Sequence, residues 1–152
     1  MLDVFANRLA EIMRDENLSQ RKLSCLINCQ SKSLRFWLKG KYYPRHDFLI
    51  RLAELFHVSI DYLLGLTDVE EERYEKFNVD YQKCIIDKLS CYIQRKGITY
   101  YKLAKSLGIG QTTLKRWFLN GSMPEITILI KISKLLDESL DDLFGRGISL
   151  DG

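Results

Sequence analysis

Leu18-Ser-Gln-Arg-Lys-Leu-Ser-Cys-Leu-Ile-Asn-Cys-Gln-Ser-Lys-Ser-Leu-Arg-Phe-Trp-Leu-Lys-Gly-Lys-Tyr-Tyr-Pro44 is the stretch on which the fold turns. Ser19 caps a short helix from Gln20 to Leu26, with Leu23 facing inward. Asn28 then suits a left-handed turn position. A second helix from Ser31 to Lys39 points Leu34 and Trp37 inward at i, i+3, Gly40 stops it, and Pro44 opens the next segment.

The same pattern recurs downstream. Shifted by 80, residues 4–65 lie on 84–145 without a gap, and thirteen of the 62 positions are identical. The matches include Leu34/Leu114, Trp37/Trp117, Pro44/Pro124, Asp61/Asp141 and Gly65/Gly145, and Gly108 stands at the position of Asn28. Chance rarely aligns Trp, Pro and Gly together, so the chain reads as two copies of one module of roughly 65 residues.

Working outward, each copy is helical, with no alternating strand pattern. Val4, Phe5, Leu9, Ile12 and Met13 form the inward stripe of a first helix that stops near Asn17. His46 to Phe56 carries Phe48, Leu49, Leu52, Ala53 and Phe56, and Ser59 caps a last helix, Ile60 to Leu64, ended by Gly65. The second copy predicts helices at Ile85 to Lys96, Tyr100 to Leu107, Gln111 to Leu119, Ile126 to Leu136 and Leu140 to Phe144. The expectation is an all-α chain of two tandem five-helix domains, 1–66 and 81–148, with an acidic connector at 67–80 and a tail at 149–152. Tyr74, Phe77, Tyr81 and Ile85 fall at helical spacing, which would join the connector to the second module as one long helix; Asp80 offers an alternative cap.

Two short helices joined by a tight turn with Asn or Gly describe a helix-turn-helix. The stretches Leu18 to Pro44 and Ile98 to Trp117 resemble the phage-repressor (Cro-type, or XRE) helix-turn-helix family, and Ser59-Ile-Asp-Tyr-Leu-Leu-Gly65 looks like its closing helix. The resemblance covers nearly everything except the connector. It implies a lambda-repressor-like fold in each copy and a sequence-specific regulator whose partner is double-stranded DNA. By position it carries backbone contact onto Gln20 and Tyr100. Base reading falls on Ser31, Lys32 and Arg35 in the first copy and on Gln111, Thr112, Lys115 and Arg116 in the second. Phosphate contact falls on Lys39, Lys41 and Arg45. The chemistry suits these roles, because a helix fits the major groove, Gln pairs bidentately with adenine, and Arg or Lys reaches guanine.

The sequence departs from the family pattern at Phe36, where a polar residue is often found, at Tyr100, which replaces the usual Gln, and at Asn120-Gly121, which shifts the stop glycine by one. Phe36 touches a thymine methyl or marks a protein-binding face. With Tyr42 and Tyr43 it supports the rival reading, a protein–protein adaptor or anti-repressor, or a homodimer contact.

Charge permits the DNA reading without requiring it. Residues 1–66 carry +3, 67–80 carry −4 and 81–152 carry +4. Trp37 and Trp117 read as core, and Asp61 and Asp141 as favouring a helix dipole. Cys25, Cys29, Cys84 and Cys91 lack zinc spacing and read as buried reduced thiols. No nucleophile–base pairing, phosphate loop or carboxylate pair stands out, so an enzyme, a cofactor and a metal are not expected. No separate sensor domain is evident, so no small-molecule ligand is expected either. No apolar stretch is long enough to span a membrane, and the N-terminus lacks a signal-peptide pattern, which points to the cytoplasm. Because Ser-Lys-Ser-Leu-Arg-Phe differs from Gln-Thr-Thr-Leu-Lys-Arg, the expected site is asymmetric or pseudo-palindromic.

Overall fold

A computed structural model describes residues 2–70 and 80–146. All regular structure among them is helical, and none of these helices is long and apolar enough to cross a membrane. The described chain falls into two compact units on either side of residues 71–79. The first holds α1 (Leu2–Asp15), α2 (Gln20–Ile27), α3 (Ser31–Leu38), α4 (His46–Phe56) and α5 (Ile60–Leu63). The second holds α6 (Tyr81–Lys96), α7 (Tyr100–Leu107), α8 (Gln111–Asn120), α9 (Ile126–Leu136) and α10 (Leu140–Leu143). From α2 onward each helix of the first unit begins 80 residues before its counterpart in the second.

Local chemistry sets the helix ends. Ser19, Thr99, Ser59 and Ser139 each accept the backbone N–H three residues on, at 2.9–3.1 Å. Asn28 (φ 56°) and Gly108 (φ 70°) take the left-handed conformation after α2 and α7. The following residues, Cys29 and Ile109, close the turn by donating to Ser24 O and Ala104 O at 3.0 Å. Asp80 caps α6 by accepting from Lys83 N at 3.1 Å, so α6 begins at Tyr81. The expected long helix would need Tyr74 and Phe77, which lie outside the described residues, as does the tail at 149–152. Asp68, assigned to the connector, reaches back to Arg8 at 3.2 Å.

In the first unit Phe5, Leu9, Leu23, Leu34, Trp37, Leu49, Leu52, Ile60 and Leu63 are buried together. In the second, Ile85, Leu89, Leu103, Leu114, Trp117, Leu129, Ile132, Leu140 and Leu143 are buried. Phe48 packs on Trp37 with ring centroids 5.7 Å apart and planes tilted by 48°, which anchors α3 to α4. Arg51 on α4 donates to Ile27 O at 3.0 Å, and Lys131 on α9 donates to Leu107 O at 3.5 Å. Each cation sits at the carbonyl end of α2 or α7, where the helix dipole favours it, and braces the turn that follows.

Three expectations are corrected. Val4 is 45% exposed rather than inward, because it sits at the edge of the α1 stripe, alongside Gly65. The cysteines are free but not buried: Cys25 and Cys91 are exposed on their helices, and Cys29 and Cys84 are half-buried. Asp141 does more than meet a helix dipole, since it is 1% exposed and bound to Arg146 at 2.8 Å.

Gly65 has φ +77°, and a Cβ there would overlap Val4 Cγ1. Gly97 has φ +63° with open space around it. Gly65→Ala should therefore cost about 2–3 kcal/mol, from left-handed strain plus overpacking, and Gly97→Ala about 1 kcal/mol from strain alone. Urea unfolding of both variants checks the difference; equal costs would contradict the packing of Val4 on Gly65.

Candidate nucleic-acid interface

Helical geometry gathers the candidate reading residues. At about 100° per residue, Ser31, Arg35, Lys39, Lys32 and Phe36 fall in that order within roughly 140° of arc. Leu34 and Trp37 lie on the other side and are buried. Ser31, Lys32 and Arg35 are exposed on α3, and Lys39 is the exposed residue that ends it. On α8, Gln111, Lys115, Thr112 and Arg116 share the corresponding arc, all exposed, opposite buried Leu114 and Trp117. Gln82 on α6 donates to Trp117 O at 2.6 Å and so holds the C-terminal half of α8.

The helices before them, α2 and α7, begin at the two residues assigned to backbone contact. Gln20 is the first residue of α2, exposed, and follows the capping Ser19. Tyr100 is the first residue of α7; it is 53% exposed, and its ring meets Phe118 of α8 edge-on at 5.2 Å.

The loop after α3 is cationic and partly self-engaged. Lys41 is exposed. Arg45 is exposed too, but its guanidinium makes two bonds to Asp47 at 2.8 and 3.2 Å. Burial alone would raise the Asp47 carboxyl, but the Arg45 hydrogen bond and charge bring it below the usual carboxylate range. Burial likewise lowers the His46 imidazole, with Asp47 pulling the other way and Arg45 adding to the drop. Tyr43 turns inward: its ring meets Phe5 at 5.7 Å and its hydroxyl is buried, which pushes the phenol up. Tyr42 stays 45% exposed and packs at a tilt against Phe36.

Two features escaped the sequence reading. Residues 17–46 and 88–124 each carry seven Lys/Arg and no Asp/Glu. These windows contain α2–α3 and α7–α8, while the acids of each unit lie outside them. Counting charge over whole modules averaged this segregation away; a sliding count would have found it. The second feature is Leu119, 78% exposed on the same arc as Gln111 and Lys115, at the offset position of Lys39.

A family model described as helix-turn-helix matches residues 92–143, within the second unit. The chain is also similar to the HTH-type transcriptional regulator YobD of Bacillus subtilis (strain 168), with 30% identity over 76 residues, which are 50% of this chain and 68% of that protein. No solved structure matches the chain significantly. Helices α7 and α8, their left-handed glycine turn and the similarity to that regulator agree, and the chain belongs to the helix-turn-helix family of HTH-type transcriptional regulators.

Proposed function

We propose that the chain is a cytoplasmic, sequence-specific DNA-binding regulator with two linked helix-turn-helix domains that read an asymmetric or pseudo-palindromic site. The observation that carries this reading is the pair of acid-free windows, each with seven cations, on the segments that present α3 and α8. Such a face meets phosphates on either side of a groove while the helix between them reaches base edges. The assignment of the first unit as a second copy is supported by the 80-residue offset of its helices and by the left-handed residue after α2, as after α7. Two tethered readers raise each other's local concentration, so neither needs high affinity alone. Selection of bound duplexes from a random library by the full chain tests the proposal. An enriched motif is expected; retention of the whole pool without enrichment, or no retention at low salt, would refute sequence-specific reading.

A second reading has one specific observation behind it. Leu119 and Tyr100 expose apolar surface at one end of α8 and the start of α7. That surface would let the second unit hold a protein, and the same library selection would then return no motif dependent on α8.

Within the DNA reading, Arg116 and Lys41 separate specificity from affinity. Arg116→Ala should cost about 1–3 kcal/mol on the selected site and relax one base position. Lys41→Ala should weaken selected and scrambled duplexes by the same factor, because a phosphate contact positions without specifying. Paired titrations decide; an Arg116→Ala loss equal on both duplexes would make Arg116 a phosphate ligand.

A further inference from the structure

We infer that Phe36 reads the 5-methyl group of a thymine, and that this apolar contact is a specificity determinant of the first unit. The inference rests on the proposed DNA reading and adds to it the chemical feature recognised.

Phe36 lies on the exposed arc of α3 beside Lys32 and is only half-buried, unlike Leu34 and Trp37 behind it. Its ring is held in place from two directions. Tyr42 meets it with centroids 5.8 Å apart and planes tilted by 55°, and the Lys32 ammonium lies 5.7 Å from the ring centre. A ring braced in this way loses little conformational freedom on binding.

The surroundings select the occupant. Lys32, Arg35, Lys39 and Lys41 are all exposed close by in sequence, and no acid occurs between Glu16 and Asp47. An apolar protein surface seated on Phe36 would strip water from these cations without compensating their charge. A nucleic acid supplies phosphates for the cations. In the major groove the donors and acceptors of base edges offer nothing to a phenyl ring. The thymine methyl is the apolar feature there, and apolar side chains contact it. The second unit has Arg116 at the corresponding position, which suits a guanine edge. The two units would then differ in the kind of base feature they read, beyond differing in sequence.

The test starts from the duplex selected by the full chain. Each thymine is replaced in turn by deoxyuridine, which removes the methyl and leaves every hydrogen-bonding group. At one or two positions in one half of the site, affinity should fall about fourfold, the value of burying one methyl. Phe36→Ala should bind the thymine and deoxyuridine duplexes equally at those positions, and Phe36→Leu should retain part of the difference. Each comparison is a ratio within one protein, so partial unfolding of a variant cancels. A selected motif with no methyl-dependent thymine would overturn the inference, as would methyl dependence that survives in Phe36→Ala. Absence of any selected motif would overturn the DNA reading along with it, so the two failures are distinguishable.

Discussion

Raising the salt from 50 to 200 mM will weaken DNA binding about 10³–10⁵-fold if roughly 6–10 phosphates are neutralised. The fourteen Lys/Arg of the two acid-free windows supply more than enough cations for that number. Among them Lys32, Arg35, Lys39, Lys41, Lys115 and Arg116 lie on α3, on α8 or directly after α3 and are exposed, and each that meets a phosphate releases condensed counterions. Replacing one such residue should lower the slope of log affinity against log salt by about 0.9. Arg45 differs because Asp47 already neutralises it. Arg45→Ala should change the slope less than Lys41→Ala does, although the notional charge removed is the same. Binding titrations at four or five salt concentrations measure all three slopes. A flat wild-type response would refute phosphate binding and favour the adaptor reading, and a full unit of slope lost with Arg45→Ala would show that DNA displaces Asp47.

The features legible in the sequence were those set by local rules. Ser19, Ser59, Thr99 and Ser139 announce helix starts because a side-chain oxygen three residues before an orphan N–H has one good use. Asn28 and Gly108 announce the turn because few residues tolerate a left-handed backbone. Leu34 with Trp37, and Leu114 with Trp117, gave the buried side of α3 and α8, and hence by subtraction the exposed arc with Ser31, Arg35, Gln111 and Lys115. Period alone does not fix how wide a buried stripe is, so the pattern counts Val4 as inward although the fold leaves it at the rim. The cysteines failed for a related reason: a small thiol fits a core or a helix surface equally, and only the fold decides. Tyr43 and Tyr42 are adjacent and chemically identical, yet one packs on Phe5 and the other on Phe36, a distinction made by tertiary neighbours. Leu119 is not legible from pattern alone, because an apolar residue at helical spacing fits a core or an exposed arc, and the polar arc of α8 has one among its members.

The ion pair between Asp141 and Arg146 was the least legible feature, and its disruption should have the largest effect on stability. Each side chain is 1% exposed, and Arg146 Nη1 donates to Asp141 Oδ1 at 2.8 Å. The pair secures the end of α10, which packs on α6 and α9, while Phe144 meets Tyr81 edge-on at 5.9 Å. Burying two charges is costly, and their attraction roughly offsets that cost only while both are present. Asp141→Ala removes the carboxylate to which the buried Arg146 Nη1 donates at 2.8 Å and should cost about 3–5 kcal/mol. The double variant Asp141→Leu with Arg146→Met removes both charges and should lie near the wild-type stability or above it. In the first unit Leu66 stands at the offset position of Arg146, so an apolar residue is accommodated at that point of the same helical arrangement. Each unit contains one tryptophan, Trp37 or Trp117, so urea unfolding in a Trp37→Phe background reports on the second unit alone. The functional consequence follows from the path Asp141, α10, α6, Gln82 and Trp117, which ends at the carbonyl that positions α8. Asp141→Ala should therefore lower the fraction of chain able to bind while leaving the ratio of selected to scrambled affinity unchanged in the molecules that remain folded. A loss under about 1 kcal/mol would show that the pair is solvated rather than buried, and a changed affinity ratio would show that α8 shifts before the unit unfolds.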